Sequence, residues 1–143
     1  MERAATVLIA DSTEEFTNDL SAALQPTEGF QVVGTAADGE QAIRLIGERK
    51  PDLLVLDEHT AALDPKTADK VLQITEEIVA RDNLTTLMVT HNMKNAIQYG
   101  NRLIMMDAGR VVVDIRGEEK KNLTVRDLLE KFNIESDRML LSE

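Results

Sequence analysis

The chain has 143 residues, 43% of them hydrophobic and 29% charged, close to the average of globular domains, which excludes disordered and fibrous classes. Its 26 acidic and 16 basic side chains leave a net charge of −10, which repels phosphate backbones and anionic lipid and so argues against nucleic acid and membrane partners. The absence of cysteine and tryptophan removes thiolate chemistry, disulfides and most stacking recognition; with no apolar run near the roughly 20 residues of a membrane span and no cleavable leader in MERAATVLIAD, the expected location is the cytoplasm.

Short apolar runs alternate with helical patterns from the start, as in βαβ units around a parallel sheet. Val7 to Ala10 predicts the first strand, and Ser12 with Glu15 a capping box opening a helix that turns Phe16, Leu20 and Leu24 inward. Phe30 to Val33 predicts the second strand. Asp38 with Gln41 then starts a helix carrying Ala42, Ile43, Leu45 and Ile46 inward, and Pro51 ends the connection. Leu53 to Leu56 is apolar at every position, as in a strand covered on both faces, and stops at Asp57 and Glu58.

Asp64 before Pro65 predicts a helix start, since the carboxylate accepts free backbone N–H groups where proline offers none. That helix runs to about Arg81 with Val71, Ile74 and Ile78 inward, and Leu84 to Val89 predicts a fourth strand. A short helix through Met93, Ala96 and Ile97 stops at Gly100, and Leu103 to Met106 predicts the fifth strand. Asp107-Ala108-Gly109 reads as a hairpin turn into a sixth, antiparallel strand at Val111 to Val113. Thr124 with Asp127 opens a last helix through Leu128, Leu129 and Phe132, followed by a charged tail from Glu135 to Glu143. The expected architecture is a single α/β domain over 1–143, a flavodoxin-like three-layer sandwich with sheet order 2-1-3-4-5 and the sixth strand on the edge.

In such a sheet, ligands gather at the carboxyl ends of the strands. Those ends carry Asp11, Asp57, Glu58, Thr90, His91 and Asp107, and grouped carboxylates bind a divalent cation or raise one another's pKa. Asp11, Asp57 and Glu58 are therefore the candidate metal ligands, for weakly bound magnesium. The other reading of the same residues is that they cap helices and face water.

The text VLIADSTEEF, then GFQVVGTAADGEQAI, then KPDLLVLD resembles a response-regulator receiver domain of the sporulation type over about residues 1–57. The resemblance puts Asp57 on the phosphoacceptor, Asp11 on one of the two magnesium-binding acids and Thr90 on the switch hydroxyl. It fails at two places. Ser12 replaces the second acid, and the strand that should end in a phosphate-binding lysine ends in Asp107, which repels a phosphoryl group.

From Leu53 onward, LLVLDEHTAALDP and LTTLMVTHNMKNAIQYGNRLIMMDAGRVV resemble the Walker B strand, D-loop, switch-histidine strand and terminal hairpin of an ABC transporter ATPase. The resemblance implies that Asp57 holds magnesium, Glu58 orients the attacking water, Asp64 is the D-loop acid and His91 touches the γ-phosphate. His59 stands where that motif usually has proline and reads as a solvent-facing loop residue. Missing are G-x-x-x-x-G-K-[ST], the Leu-Ser-Gly-Gly signature and the glutamine loop; the chain has no Gly-Lys pair at all. Without the phosphate cradle, Glu58 and His91 have no substrate held against them.

The two resemblances overlap on LLVLD, so a receiver-like half (1–57) is joined to an ABC-ATPase-like half (58–143). The sequence thus reads as an engineered chimeric scaffold with no evolved activity. It is expected not to be an enzyme and to bind neither nucleotide nor a resident cofactor, and to exist as a monomer or homodimer. The alternatives are a weak receiver-like phosphoacceptor at Asp57 and a vestigial ABC-type nucleotide-binding module.

Overall fold

A computed structural model of the chain describes residues 4–11, 14–24, 29–60 and 63–141, with side chains throughout except at 14–17 and 134–141. Ser12, and with it the proposed Ser12–Glu15 box, lies outside the described residues. Two compact units divide the chain, Met1–Val89 and Thr90–Glu143.

The first unit contains β1 (Ala5–Asp11), α1 (Glu14–Leu24), β2 (Phe30–Ala36), α2 (Gly39–Arg49), β3 (Leu53–Asp57), α3 (Pro65–Asp82) and β4 (Thr85–Val89). Its four strands are parallel in the order β2-β1-β3-β4. Strand alternation sorts the apolar residues onto two faces. Val7, Ile9 and Val55 pack with Leu20 and Leu24 of α1 on one side. On the other, Leu8, Ala10, Leu54 and Leu56 pack with Ala42 and Ile46 of α2 and with Ile78 and Val79 of α3. The buried face of α3 is Val71, Leu72 and Thr75 rather than the expected Val71, Ile74 and Ile78, with Ile74 only half-buried.

Local capping follows the sequence closely. Gln41 N–H donates to Asp38 Oδ1 at 2.8 Å while Gln41 Oε1 accepts from Ala37 N–H at 2.7 Å, closing a box at the start of α2. Asp64 accepts from Thr67 N–H at 3.2 Å with Pro65 in the first turn of α3. Four hydrogen bonds clasp the entrances of β1 and β3. Thr6 N–H and Oγ1 donate to Asp52 Oδ2 at 2.9 and 3.1 Å, and Asp52 N–H is shared by Thr6 Oγ1 and the Thr6 carbonyl, each at 3.0 Å.

The second unit contains α4 (Met93–Gln98), β5 (Arg102–Asp107), β6 (Arg110–Arg116), α5 (Glu118–Lys121) and α6 (Val125–Leu141). Here the expected topology needs correction. Rather than extending the parallel sheet as its fifth and sixth strands, β5 and β6 form an antiparallel two-stranded sheet of their own. The hairpin can stand separately because it has its own core: Leu103, Val112, Val113 and Ile115 pack with Leu123 and Leu128 and with Met93, Ile97 and Phe132. Its turn places Ala108 (φ 50°) and Gly109 (φ 76°) in the left-handed region, as a two-residue hairpin loop matching strand twist demands. Arg102 grips Asp114 across the hairpin with two bonds of 2.9 and 2.7 Å. The helix opened by Thr124 and Asp127, whose reciprocal box forms at 3.1 and 3.2 Å, runs on to Leu141 instead of giving way to a tail at Glu135. Neither glycine nor proline interrupts residues 125–141, so nothing in the sequence stops it.

Lys120, in the charged run Glu118–Lys121, is 3% exposed. Its ammonium donates to the carbonyls of Ile97, Tyr99 and Gly100, the last two at 3.0 Å, so a buried cation closes the carboxyl end of α4.

Candidate functional site

Asp11 and Asp57 end adjacent parallel strands and are register partners. Register partners point to the same face of a parallel ladder, roughly 5 Å apart between strands, so these carboxylates share the α1 side of the sheet. Asp11 is 5% exposed and Asp57 is half-buried. Glu58 lies beyond the ladder, with φ 47° turning the chain out of the strand and its N–H donating to the Val89 carbonyl at 2.9 Å. A left-handed non-glycine residue costs about 1–2 kcal/mol, so the end of β3 holds strain at the residue next to Asp57. Two of the three candidate metal ligands are thus brought side by side and the third is set apart. Among the described residues no group of three or more His, Asp or Glu side chains could hold a metal ion.

His59 corrects a sequence expectation. It is not a solvent-facing loop residue but is 4% exposed and packs against Gly39, the first residue of α2, which also lies against Val71 of α3. Gly39 N–H donates to the His59 carbonyl at 3.0 Å, and Nε2 of His59 is buried without a hydrogen-bond partner among the described residues. Burial disfavours the imidazolium and lowers the pKa of His59 to about 4. The missed signal was Gly39 itself. A glycine in the first turn of a helix that already has an Asp cap marks a place where another group comes close.

Asp64 is an exposed helix cap, its carboxyl held below the usual range by hydrogen bonds from Thr67. Thr90, His91 and Asp107 belong to the second unit. Thr90 Oγ1 accepts from Asn92 N–H at 3.0 Å in the turn that leads into α4, and His91 in that turn is exposed. Asp107 ends β5 opposite Arg110 at the hairpin turn. An open cleft of about 510 Å³ lies between α2 and α3, with Ile43, Val71 and Ile74 as its floor and Glu40, Lys66 and Lys70 at its rim.

The sheet of the first unit, with its helices and its two aspartates at the carboxyl edge, defines a class of fold: that of signal receiver domains. The chain matches the receiver domain of the response regulator NarL from Mycobacterium tuberculosis with a TM-score of 0.51 and 24% identity, over 68% of this chain and 76% of that one. It matches a response regulator receiver domain protein from Clostridium thermocellum with the same score at 18% identity, over 97% and 99%. At this identity the likeness is one of fold. In sequence, the chain is 61% identical over 82 residues to a tyrosine transport ATP-binding protein of Clostridioides difficile, 57% of this chain and 33% of that protein. It is 35% identical over 86 residues to the energy-coupling factor transporter ATP-binding protein EcfA2 of Bacillus cereus, covering 60% of this chain and 29% of that protein. The chain therefore spans about a third of the length of these curated relatives. No family model matches it.

A receiver-like fold and a segment similar to transporter ATP-binding proteins thus meet in one chain, which matches a chimera of the two. The similarity also corrects the expectation that the chain is not an enzyme: more than half of it is similar to ATP-binding proteins of transporters, although only a fragment of those proteins is present. No helix among the described residues is long and apolar enough to cross a membrane.

Proposed function

We propose that the chain is an engineered chimeric α/β scaffold, in which a receiver-like half that sets the sheet is joined within β3 to an ABC-type half. The observation that carries this reading is the position of Asp57. It closes β3 in register with Asp11 of β1 and is followed at once by Glu58, so the residue that the receiver resemblance makes the phosphoacceptor is also the one that the ABC resemblance makes the magnesium ligand. Neither parent's set of chemical groups is complete. The receiver set keeps Asp57 and Asp11 but has Ser12 and Asp107 at the places of an acid and a lysine. The ABC set keeps Asp57, Glu58, Asp64 and His91 without a phosphate cradle.

The second reading, a receiver-like phosphoacceptor, is favoured by the side-by-side placement of Asp11 and Asp57. Incubation with acetyl phosphate and magnesium followed by intact-mass measurement separates the two. The scaffold reading expects an unchanged mass. A phosphoryl adduct that disappears in Asp57→Asn replaces it with the phosphoacceptor. Phosphate release from magnesium-ATP that is abolished by Glu58→Gln assigns the chemistry to the ABC-type half instead.

A further inference from the structure

Among the described residues, β4 pairs with β3 on one side and with no strand on the other. Its sequence, Thr85-Thr86-Leu87-Met88-Val89, has no charge and no proline, and the β3–β4 register is unbroken. Edge strands are normally blunted by lysine, proline or a bulge, because their unpaired N–H and C=O groups template pairing with another chain. This edge has none of these protections.

One hydrogen bond fixes which groups face outward. The Val89 carbonyl accepts from Glu58 N–H and so points toward β3. The N–H and C=O of one residue point the same way and alternate along a strand, so Thr85 and Leu87 also face β3, while Thr86 and Met88 present both groups to the open edge. Leu87 is 56% exposed and Val89 40% exposed. Both lie on the α1 side of the sheet, in register with Val55 and Asp57.

We propose that this edge is a self-association surface, occupied by β4 of a second copy running antiparallel about a two-fold axis at Leu87. The strand is its own complement. Under that axis Thr86 and Met88 of one copy exchange both backbone bonds with Met88 and Thr86 of the other. Leu87 meets Leu87 at the closely spaced position, where Cα atoms come to about 4.5 Å, and Thr85 lies opposite Val89. The pairing is isologous and closes as a dimer, joining two four-stranded sheets into one of eight strands. Charge points to the same strand. Copies of net charge −10 repel, and β4 is a segment that brings no charge to the contact. Added salt screens the repulsion and tightens the dimer.

Sedimentation of the full chain across a wide range of concentrations tests this, together with Leu87→Lys and Leu87→Glu. Because Leu87 is exposed, both variants keep the fold, which circular dichroism and melting verify. Each alone weakens self-association by at least about tenfold by setting like charges face to face, and an equimolar mixture restores a heterodimer. A wild-type chain that stays monomeric overturns the proposal, as does a dimer indifferent to Leu87→Lys or a mixture that stays monomeric. A dimer lost instead in Met106→Lys also overturns it, moving the contact to the exposed face of the β5–β6 hairpin.

Discussion

Gly39 sits so close to His59 that its N–H donates to the His59 carbonyl at 3.0 Å, and a Cβ at position 39 would lie 3.1 Å from His59 Cδ2 and 2.5 Å from Val71 Cγ1. Real Cβ contacts are essentially never as short as 2.5 Å, so Gly39→Ala must push Val71 out of place, and His59 must give slightly as well. Overpacking of this kind costs about 1–3 kcal/mol. Urea unfolding followed by circular dichroism is expected to show that loss; a Gly39→Ala protein as stable as the original would mean that α2 shifts freely.

His59 makes stability depend on pH in a defined window. In the unfolded chain it titrates near 6.5 and in the folded protein at about 4, so between these values the unfolded state binds more protons. Stability therefore falls as pH drops through that window and, for this group, levels off below it. Between pH 7 and pH 5 the linkage amounts to about 2 kcal/mol. Carboxylates add their own slopes, so the difference between the wild type and His59→Phe isolates the histidine. Equal slopes in the two proteins would show that His59 is hydrated in solution.

The hairpin turn holds Ala108 at a φ of 50°, where an L residue with a β-carbon is strained. Asparagine tolerates this conformation, and Asn-Gly is a preferred two-residue hairpin loop. Ala108→Asn is expected to stabilise the second unit by about 1 kcal/mol. Thermal unfolding monitored by Tyr99, the lone tyrosine in a chain without tryptophan, reports on that unit. A lowered midpoint would contradict the strain assigned to the turn.

Replacing Lys120 by methionine keeps the bulk of its stem and removes the ammonium that three carbonyls at the end of α4 accept from. A buried acceptor left without a donor costs about 1–3 kcal/mol, and these part-buried carbonyls cost less each because water can reach them. The expected loss for Lys120→Met is about 2–4 kcal/mol, again read from Tyr99 emission in denaturant. Lys121→Met, at an exposed neighbour whose ammonium pairs with Glu118 at 3.2 Å in a solvated i,i+3 contact, is expected to change little.

The legible features were those written in a few consecutive residues. Asp38 with Gln41, Asp64 with Pro65, and Thr124 with Asp127 announce helix starts because a cap reaches only two or three residues along the chain. The parallel core strands were legible from Leu53 to Leu56 because burial on both faces leaves no polar position. His59 and Lys120 were misread or passed over for the opposite reason. A histidine in a loop motif and a lysine in Glu-Glu-Lys-Lys look solvated, and their burial is decided by residues 12 or more positions away. Asp11 and Asp57 end neighbouring strands in register, a closeness that strand order in the sequence implies, whereas the left-handed backbone of Glu58 carries it out of the ladder.

The clasp between Thr6 and Asp52 has a consequence for how such chains can be spliced. Both partners precede Leu53, and they align β1 against β3 before the first residue of the ABC-like segment is reached. Closing that loop fixes the ladder without help from the incoming half. The apolar run from Leu53 to Leu56, which both resemblances share, then enters a slot whose start is already set. The clasp thus works as an adaptor between the two strand entrances, and Asp52→Ala takes away the carboxylate that accepts two of its four bonds at the point where β1 and β3 begin.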